Sequence, residues 1–170
     1  MNQAKPVYMH DNTRPISFDH HDFGVYAYNA SELSIIYNNF QHAPWDNKEI
    51  RPPKKDNAEK YWGGGYGGVN NFPPPAKVKW RAKDGTPLEA SIDIGLIFKE
   101  QVILHKEDPK QLTKYYDSTP SDPDIILEVN NRTINVYMLA NMNVVPEGKS
   151  EQKSENILRR SLTLAYSKTY

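Results

Sequence analysis

Lys77-Val78-Lys79-Trp80-Arg81-Ala82-Lys83-Asp84-Gly85-Thr86-Pro87-Leu88-Glu89-Ala90-Ser91-Ile92-Asp93-Ile94 is the segment from which the architecture can be worked out. Val78, Trp80 and Ala82 alternate with Lys77, Lys79, Arg81 and Lys83. Leu88, Ala90, Ile92 and Ile94 then alternate with Glu89, Ser91 and Asp93. Successive side chains on a strand point to opposite faces, so each half is a strand with one buried and one solvated face. Asp84-Gly85 between the halves suits a tight hairpin, because glycine accepts the positive φ that such turns need. Bases line the outer face of the first strand and acids that of the second. Cross-strand ion pairing accounts for those charges. A basic stripe for an acidic partner, with Lys79 and Arg81 steering the encounter, is the alternative.

Downstream, Ile125-Ile126-Leu127-Glu128-Val129 and Thr133-Ile134-Asn135-Val136-Tyr137-Met138 flank an Asn130-Asn131 turn and predict a second hairpin. Upstream, Gly24-Val25-Tyr26-Ala27-Tyr28 and Leu33-Ser34-Ile35-Ile36-Tyr37 read as antiparallel neighbours broken at Asn29-Ala30-Ser31. Asn38 to Lys60 is a long polar excursion with a short helical turn near Asn57-Ala58-Glu59-Lys60. Trp45 within it is either a core plug or an exposed anchor. Gly95 to Glu100 is ambiguous between helical turn and strand, and Val102-Ile103-Leu104 looks like a buried strand. Lys106 to Pro123 is a second excursion, and Gly148 to Glu155 is a charged connection. Ile157 to Tyr166 fits helical and alternating patterns, with a closing strand favoured from Ser161 onward. Residues 1–22 read as an extended lead-in and 23–170 as one β-rich domain. The expected architecture is mainly β, an antiparallel β-sandwich-like single domain with long loops and little helix.

One segment differs from the rest. Tyr61-Trp62-Gly63-Gly64-Gly65-Tyr66-Gly67-Gly68-Val69-Asn70-Asn71-Phe72-Pro73-Pro74-Pro75 holds five of the nine glycines. Glycine lets another chain approach closely, and the prolines stiffen the end of the segment. Aromatic side chains on a stiff loop lose few torsions on contact, which suits a binding surface. Gly63-x-Gly65-x-x-Gly68 matches a dinucleotide-binding spacing, but Pro73 to Pro75 forbid the helix whose N-terminus would hold the phosphates. A structural loop at a sheet edge accounts equally well for the glycines.

At 170 residues the chain is long enough for one real core. Twenty-one basic and twenty-one acidic residues leave no net charge, which argues against a general nucleic-acid binder. The absence of cysteine excludes disulfides, thiolate metal sites and cysteine nucleophiles. No apolar run reaches membrane-spanning length. Met1 to Pro6 opens no apolar signal segment, so a cytoplasmic location is expected unless the chain is trimmed. His20-His21-Asp22 resembles metal-ligand material, but neighbours on an extended chain point apart, and His10, His42 and His105 are scattered. Neither a Gly-x-Ser-x-Gly elbow nor His-Glu-x-x-His is present. Asp22, Asp46, Asp56, Asp93 and Glu128 lack a local context for acid–base work. No metal, cofactor or catalytic residue is expected.

The succession Gly24 to Asn29, Leu33 to Tyr37, Gly63-Gly64-Gly65, Val69-Asn70-Asn71-Phe72-Pro73 and Val78-Lys79-Trp80 resembles a family of small exported bacterial proteins and lipoproteins. Some members act as immunity proteins against phospholipase effectors of the type VI secretion system. The resemblance covers about residues 23 to 140. Many relatives carry a Cys pair where this chain has Asn70-Asn71, so no thiol feature carries over. The resemblance implies a periplasmic, non-enzymatic protein, lipid-anchored in a precursor or free, that binds a cognate lipase effector and blocks it. Trp45, Tyr61, Trp62, Tyr66, Asn70, Asn71, Phe72, Lys79 and Arg81 are then the candidate contact residues. A carbohydrate- or envelope-binding β-sandwich is the rival reading, and a small hydrolase a third.

Overall fold

The computed structural model describes residues 8–9, 15–112, 115–116, 121–146, 148 and 157–170. Most of the first fourteen residues, residues 113–114 and 117–120 of the second excursion and most of the charged connection before Ile157 lie outside them. In chain order the strands are β1 (Tyr8–Met9), β2 (His20–Tyr28), β3 (Ala30–Tyr37), β4 (Phe40–Trp45), β5 (Tyr66–Asn70), β6 (Ala76–Ala82), β7 (Pro87–Ile92), β8 (Tyr115–Tyr116), β9 (Asp124–Asn130), β10 (Thr133–Val144) and β11 (Ile157–Thr169). The one short α-helical turn among the described residues is α1 (Ile94–Ile97), and 3-10 turns occupy Ala58–Tyr61 and Pro109–Gln111. A five-stranded sheet, ordered β11-β10-β9-β2-β5, packs against a four-stranded sheet ordered β4-β3-β6-β7; β1 pairs with β8 separately. The protein is thus mainly β and sandwich-like, as the alternating patterns require.

The ribbon forms, but β7 ends at Ile92, with Ile94 already in α1. The ribbon's charges do not pair across it: among the described residues Arg81 pairs with Glu32 of β3 and Lys79 with no acid. β6 and β7 pair with Lys79 opposite Glu89 and Trp80 opposite Leu88. The turn closes with Gly85 at φ 87° and its N–H on the Ala82 carbonyl. Ala76, Val78, Trp80 and Ala82 are buried between the sheets. Trp80 also ties the layers together, since its indole N–H donates to the Asn131 carbonyl at 2.7 Å, in the β9–β10 turn. That second hairpin also forms as read.

Several expectations need correction. β2 and β3 are not neighbours. The chain crosses at Asn29, whose φ is 51°, from one sheet to the other. β2 instead lies between β5 and β9, and its pairing with β9 is the one parallel ladder among the described strands. Asn38 to Lys60 is not all excursion: Asn38-Asn39, both at positive φ, turn the chain into β4. An Asn-Asn pair suits that turn. β4 was hidden because it is an edge strand with one buried position, His42, and hence no apolar alternation. Gly95 to Glu100 resolves into the α1 turn, capped by the Asp93 side chain accepting from the Leu96 N–H at 2.9 Å. Val102 to Leu104 is extended but joins no sheet; it makes one bridge, Ser17 to Val102. β11 is a strand from Ile157, ahead of the expected Ser161. The folded body also starts before residue 23, because Ile16, Phe18 and His21 are buried in it.

β9 is buried on both faces, which is why its sequence shows a continuous apolar run instead of alternation. Ile125, Leu127 and Val129 join the main core, while Ile126 joins a second cluster with Trp62 and Leu139 on the sheet's outer side. The segment from Asp46 to Gly63 supplies the cover for that outer side.

Candidate protein-binding surface

The glycine loop is the corner where the covering segment runs into β5. Its backbone is held by side chains of β2 and β9. The Tyr26 hydroxyl donates to the Gly63 carbonyl at 3.1 Å and accepts from the Gly63 N–H at 2.8 Å. The Gly64 N–H donates to Asp124 Oδ2 and the Gly68 N–H to Asp22 Oδ1, both at 2.9 Å. Glycine is required for close approach at Gly64, where a Cβ would stand 2.6 Å from the Asp22 Cβ. Burial pushes the Asp124 carboxyl up, against the opposing pull of the Gly64 N–H.

The candidate residues separate on this frame. Tyr61 ends the 3-10 turn with 85% of its surface exposed, while adjacent Trp62 is only 4% exposed. Trp62 is therefore a core residue of the outer cluster. It stacks on Tyr26 with centroids 5.1 Å apart, and its N–H donates to the Tyr28 hydroxyl at 3.0 Å. Tyr66 is half-buried, stacked at 4.9 Å on Phe40, and its hydroxyl accepts from Asn38 at 3.4 Å. Asn70 is exposed at the end of β5. Asn71 is engaged within the protein: its Oδ1 meets His21 Nδ1 at 2.6 Å, and its Nδ2 donates to the Phe18 carbonyl at 2.9 Å. Phe72 lies edge-on to Phe18 and 5.5 Å from the His21 ring. Trp45 is half-buried against the core, with its N–H on the Glu49 carbonyl at 3.0 Å and Arg51 4.8 Å from its ring centre. Lys79 and Arg81 point outward from the other sheet; Arg81 bonds Glu32 and the Gly85 carbonyl, and Lys79 makes no ion pair among the described residues. The structure thus turns Trp62, Asn71 and Phe72 inward and leaves Tyr61 accessible on the loop and Tyr66 and Asn70 accessible at the two ends of β5, a strand that the sequence pattern presents as loop.

Behind Trp62 stands a polar site without any local signature in the sequence. The Lys54 ammonium lies 2.7 Å from Glu128 Oε2, 2.8 Å from Glu59 Oε1 and 4.5 Å from the Trp62 ring centre. Tyr28 and Tyr137 each lie 6.0 Å from it. Burial works to lower the Lys54 pKa, but bonding to Glu128 and Glu59 outweighs it and leaves the group raised and charged. Glu128 is 1% exposed, and its other oxygen accepts from Asn135 at 2.8 Å. Arg160 of β11 adds bonds to the Glu59 and Trp62 carbonyls. These groups strap the covering segment to the five-stranded sheet. Inside the sandwich, His21 Nε2 meets the Tyr37 hydroxyl at 3.0 Å and His42 Nε2 meets the Tyr37 carbonyl at 3.0 Å. Burial lowers the pKa of both histidines and raises that of Tyr37.

Phe40 and Leu158 are exposed apolar residues that the sequence pattern did not single out. Phe40 follows the unrecognised Asn-Asn turn, and Leu158 precedes the expected start of β11. Among the described residues, no group of three or more His, Asp or Glu is placed to hold a metal ion, and no helix is long and apolar enough to cross a membrane. Comparison with family models, with curated proteins and with solved structures returns no match for this chain.

Proposed function

We propose that this chain is a non-enzymatic immunity protein that binds a cognate antibacterial lipase, of the type delivered by type VI secretion, and neutralises it by occlusion in the periplasm. The observation that carries the reading is the display of Tyr61. Its ring is almost fully exposed on a corner whose backbone is fixed by Tyr26, Asp124 and Asp22. A rigid aromatic anchor loses little conformational entropy on binding, and a few such anchors dominate interfaces of about 1,600 Å². The resemblance in the glycine cluster and the Val78-Lys79-Trp80 strand supports the choice of partner. Lys79, free of ion pairs among the described residues, supports steering toward an acidic surface.

Co-expression with a candidate antibacterial lipase effector tests this. The expected results are co-purification, loss of lipase activity and restored growth of the producing cells. Tyr61→Ala is expected to weaken the complex ~30-fold, the equivalent of about 2 kcal/mol, with unchanged thermal stability. A purified pair that neither associates nor loses lipase activity overturns the proposal. One observation favours the rival carbohydrate reading: the half-exposed Phe40 ring, stacked on Tyr66 beside the Asn38 amide, suits sugar stacking. Glycan-array binding abolished by Phe40→Ala would establish it.

A further inference from the structure

We infer that β11 is a self-association edge, through which two copies of this chain join their five-stranded sheets into one continuous sheet across a two-fold axis. β11 closes that sheet on one side, and its other side meets no strand among the described residues. A long unpaired edge is a template for another strand unless charge, proline or a bulge blunts it. Here Ile157 to Leu164 run against β10 without a break, and the register slips only between Val136 and Tyr137, next to Leu164. The unbroken part carries two of the most exposed large apolar residues of the protein, Leu158 at 65% and Leu164 at 52%.

The sequence of this edge is self-complementary in one register. In an antiparallel pair of identical strands the two-fold axis passes through a residue that faces its own copy, so that paired residues share a face. An axis at Arg159 or Arg160 sets like charges directly opposite, which is destabilising. An axis at Leu162 places Leu158 opposite Tyr166, beyond the irregularity. An axis at Ser161 sets Leu158 against Leu164, Arg160 against Leu162 and Arg159 against Thr163, with no like charges opposed. The two exposed leucines then cover each other twice, once on each side of the axis. The arginines are already engaged elsewhere. Arg159 pairs with Glu107 at 3.3 Å, and Arg160 bonds the Glu59 and Trp62 carbonyls. Each guanidinium therefore already has an oxygen partner within its own copy.

Sedimentation equilibrium on the purified chain tests the inference directly, with a concentration-dependent doubling of mass expected. Leu158→Lys with Leu164→Lys places lysine opposite lysine in this register and is expected to return the protein to monomer with an unchanged melting temperature. Because the native chain has no cysteine, Leu158→Cys combined with Leu164→Cys is expected to give a covalent dimer with a short bismaleimide, and either single variant far less. A wild-type protein that stays monomeric at every attainable concentration overturns the inference. So does a dimer that survives the double lysine change, or one that cross-links equally well through the single cysteines.

Discussion

The two sheets share one inner core but differ on their outer faces. The four-stranded sheet leaves Lys77, Lys79 and Arg81 in water, where Lys77 bonds Ser91 at 3.0 Å and Arg81 bonds Glu32. The five-stranded sheet is covered over part of its outer face, and there Glu128 is buried against Lys54 among Trp62, Tyr28 and Tyr137. A charge in solvent contributes little and tolerates replacement; a buried one depends on its partner. The covered face should therefore be the mechanically sensitive side, and the bare face the adaptable one.

The largest expected effect comes from removing the cover's anchor. Trp62→Ala should cost roughly 3–5 kcal/mol in urea unfolding, as for other large-to-small core changes. A cost under about 1 kcal/mol would mean that the cover is not part of the folded core. Lys54→Met should follow at about 3 kcal/mol, because it strands the Glu128 carboxylate without a counter-charge. Adding Glu128→Gln should recover most of that loss, and a double-mutant cycle measures the coupling. Gly64→Ala should cost on the order of 1–3 kcal/mol, since the added methyl meets the Asp22 Cβ.

Acidification probes the shared core. Burial lowers the pKa of His21 and His42 in the folded protein, so below about 6.5 the unfolded chain binds more protons than the native one. Stability is therefore intact above that pH and falls as pH drops toward the folded values, by up to about 1.4 kcal/mol per pH unit for each group. Thermal melts between neutral and mildly acidic pH should show the loss, and His21→Gln should flatten the slope. The smallest effect belongs to the bare face. Lys79→Ala should change stability by less than about 0.5 kcal/mol, while lowering the salt-sensitive association rate with an acidic partner. A large loss of stability from Lys79→Ala would erase the distinction between the faces.

β6, β7, β9 and β10 and the turns that join them in pairs were legible in the residues because alternation and turn chemistry are local, whereas β5, paired with β2, lay hidden in what read as a glycine loop. Val78-Lys79-Trp80 and Asp84-Gly85 needed no distant information, and neither did the hairpin around Asn130-Asn131. β4 escaped because an edge strand buries only His42 and so leaves no pattern. The glycine loop was legible as a special segment, but the direction of each ring was not. Tyr61 and Trp62 are neighbours of similar character, yet one is solvated and the other buried, because β2 and β9 offer Tyr26, Ile126 and Tyr28 to Trp62 alone. Residue order was enough to establish a β protein with one stiff, aromatic, glycine-rich corner. Packing in three dimensions was needed to lay β2 parallel beside β9, to bring Lys54 to Glu128 and to select which aromatic faces water. A side chain's conformational preferences act over a few bonds, whereas its burial depends on whichever remote segment arrives to cover it.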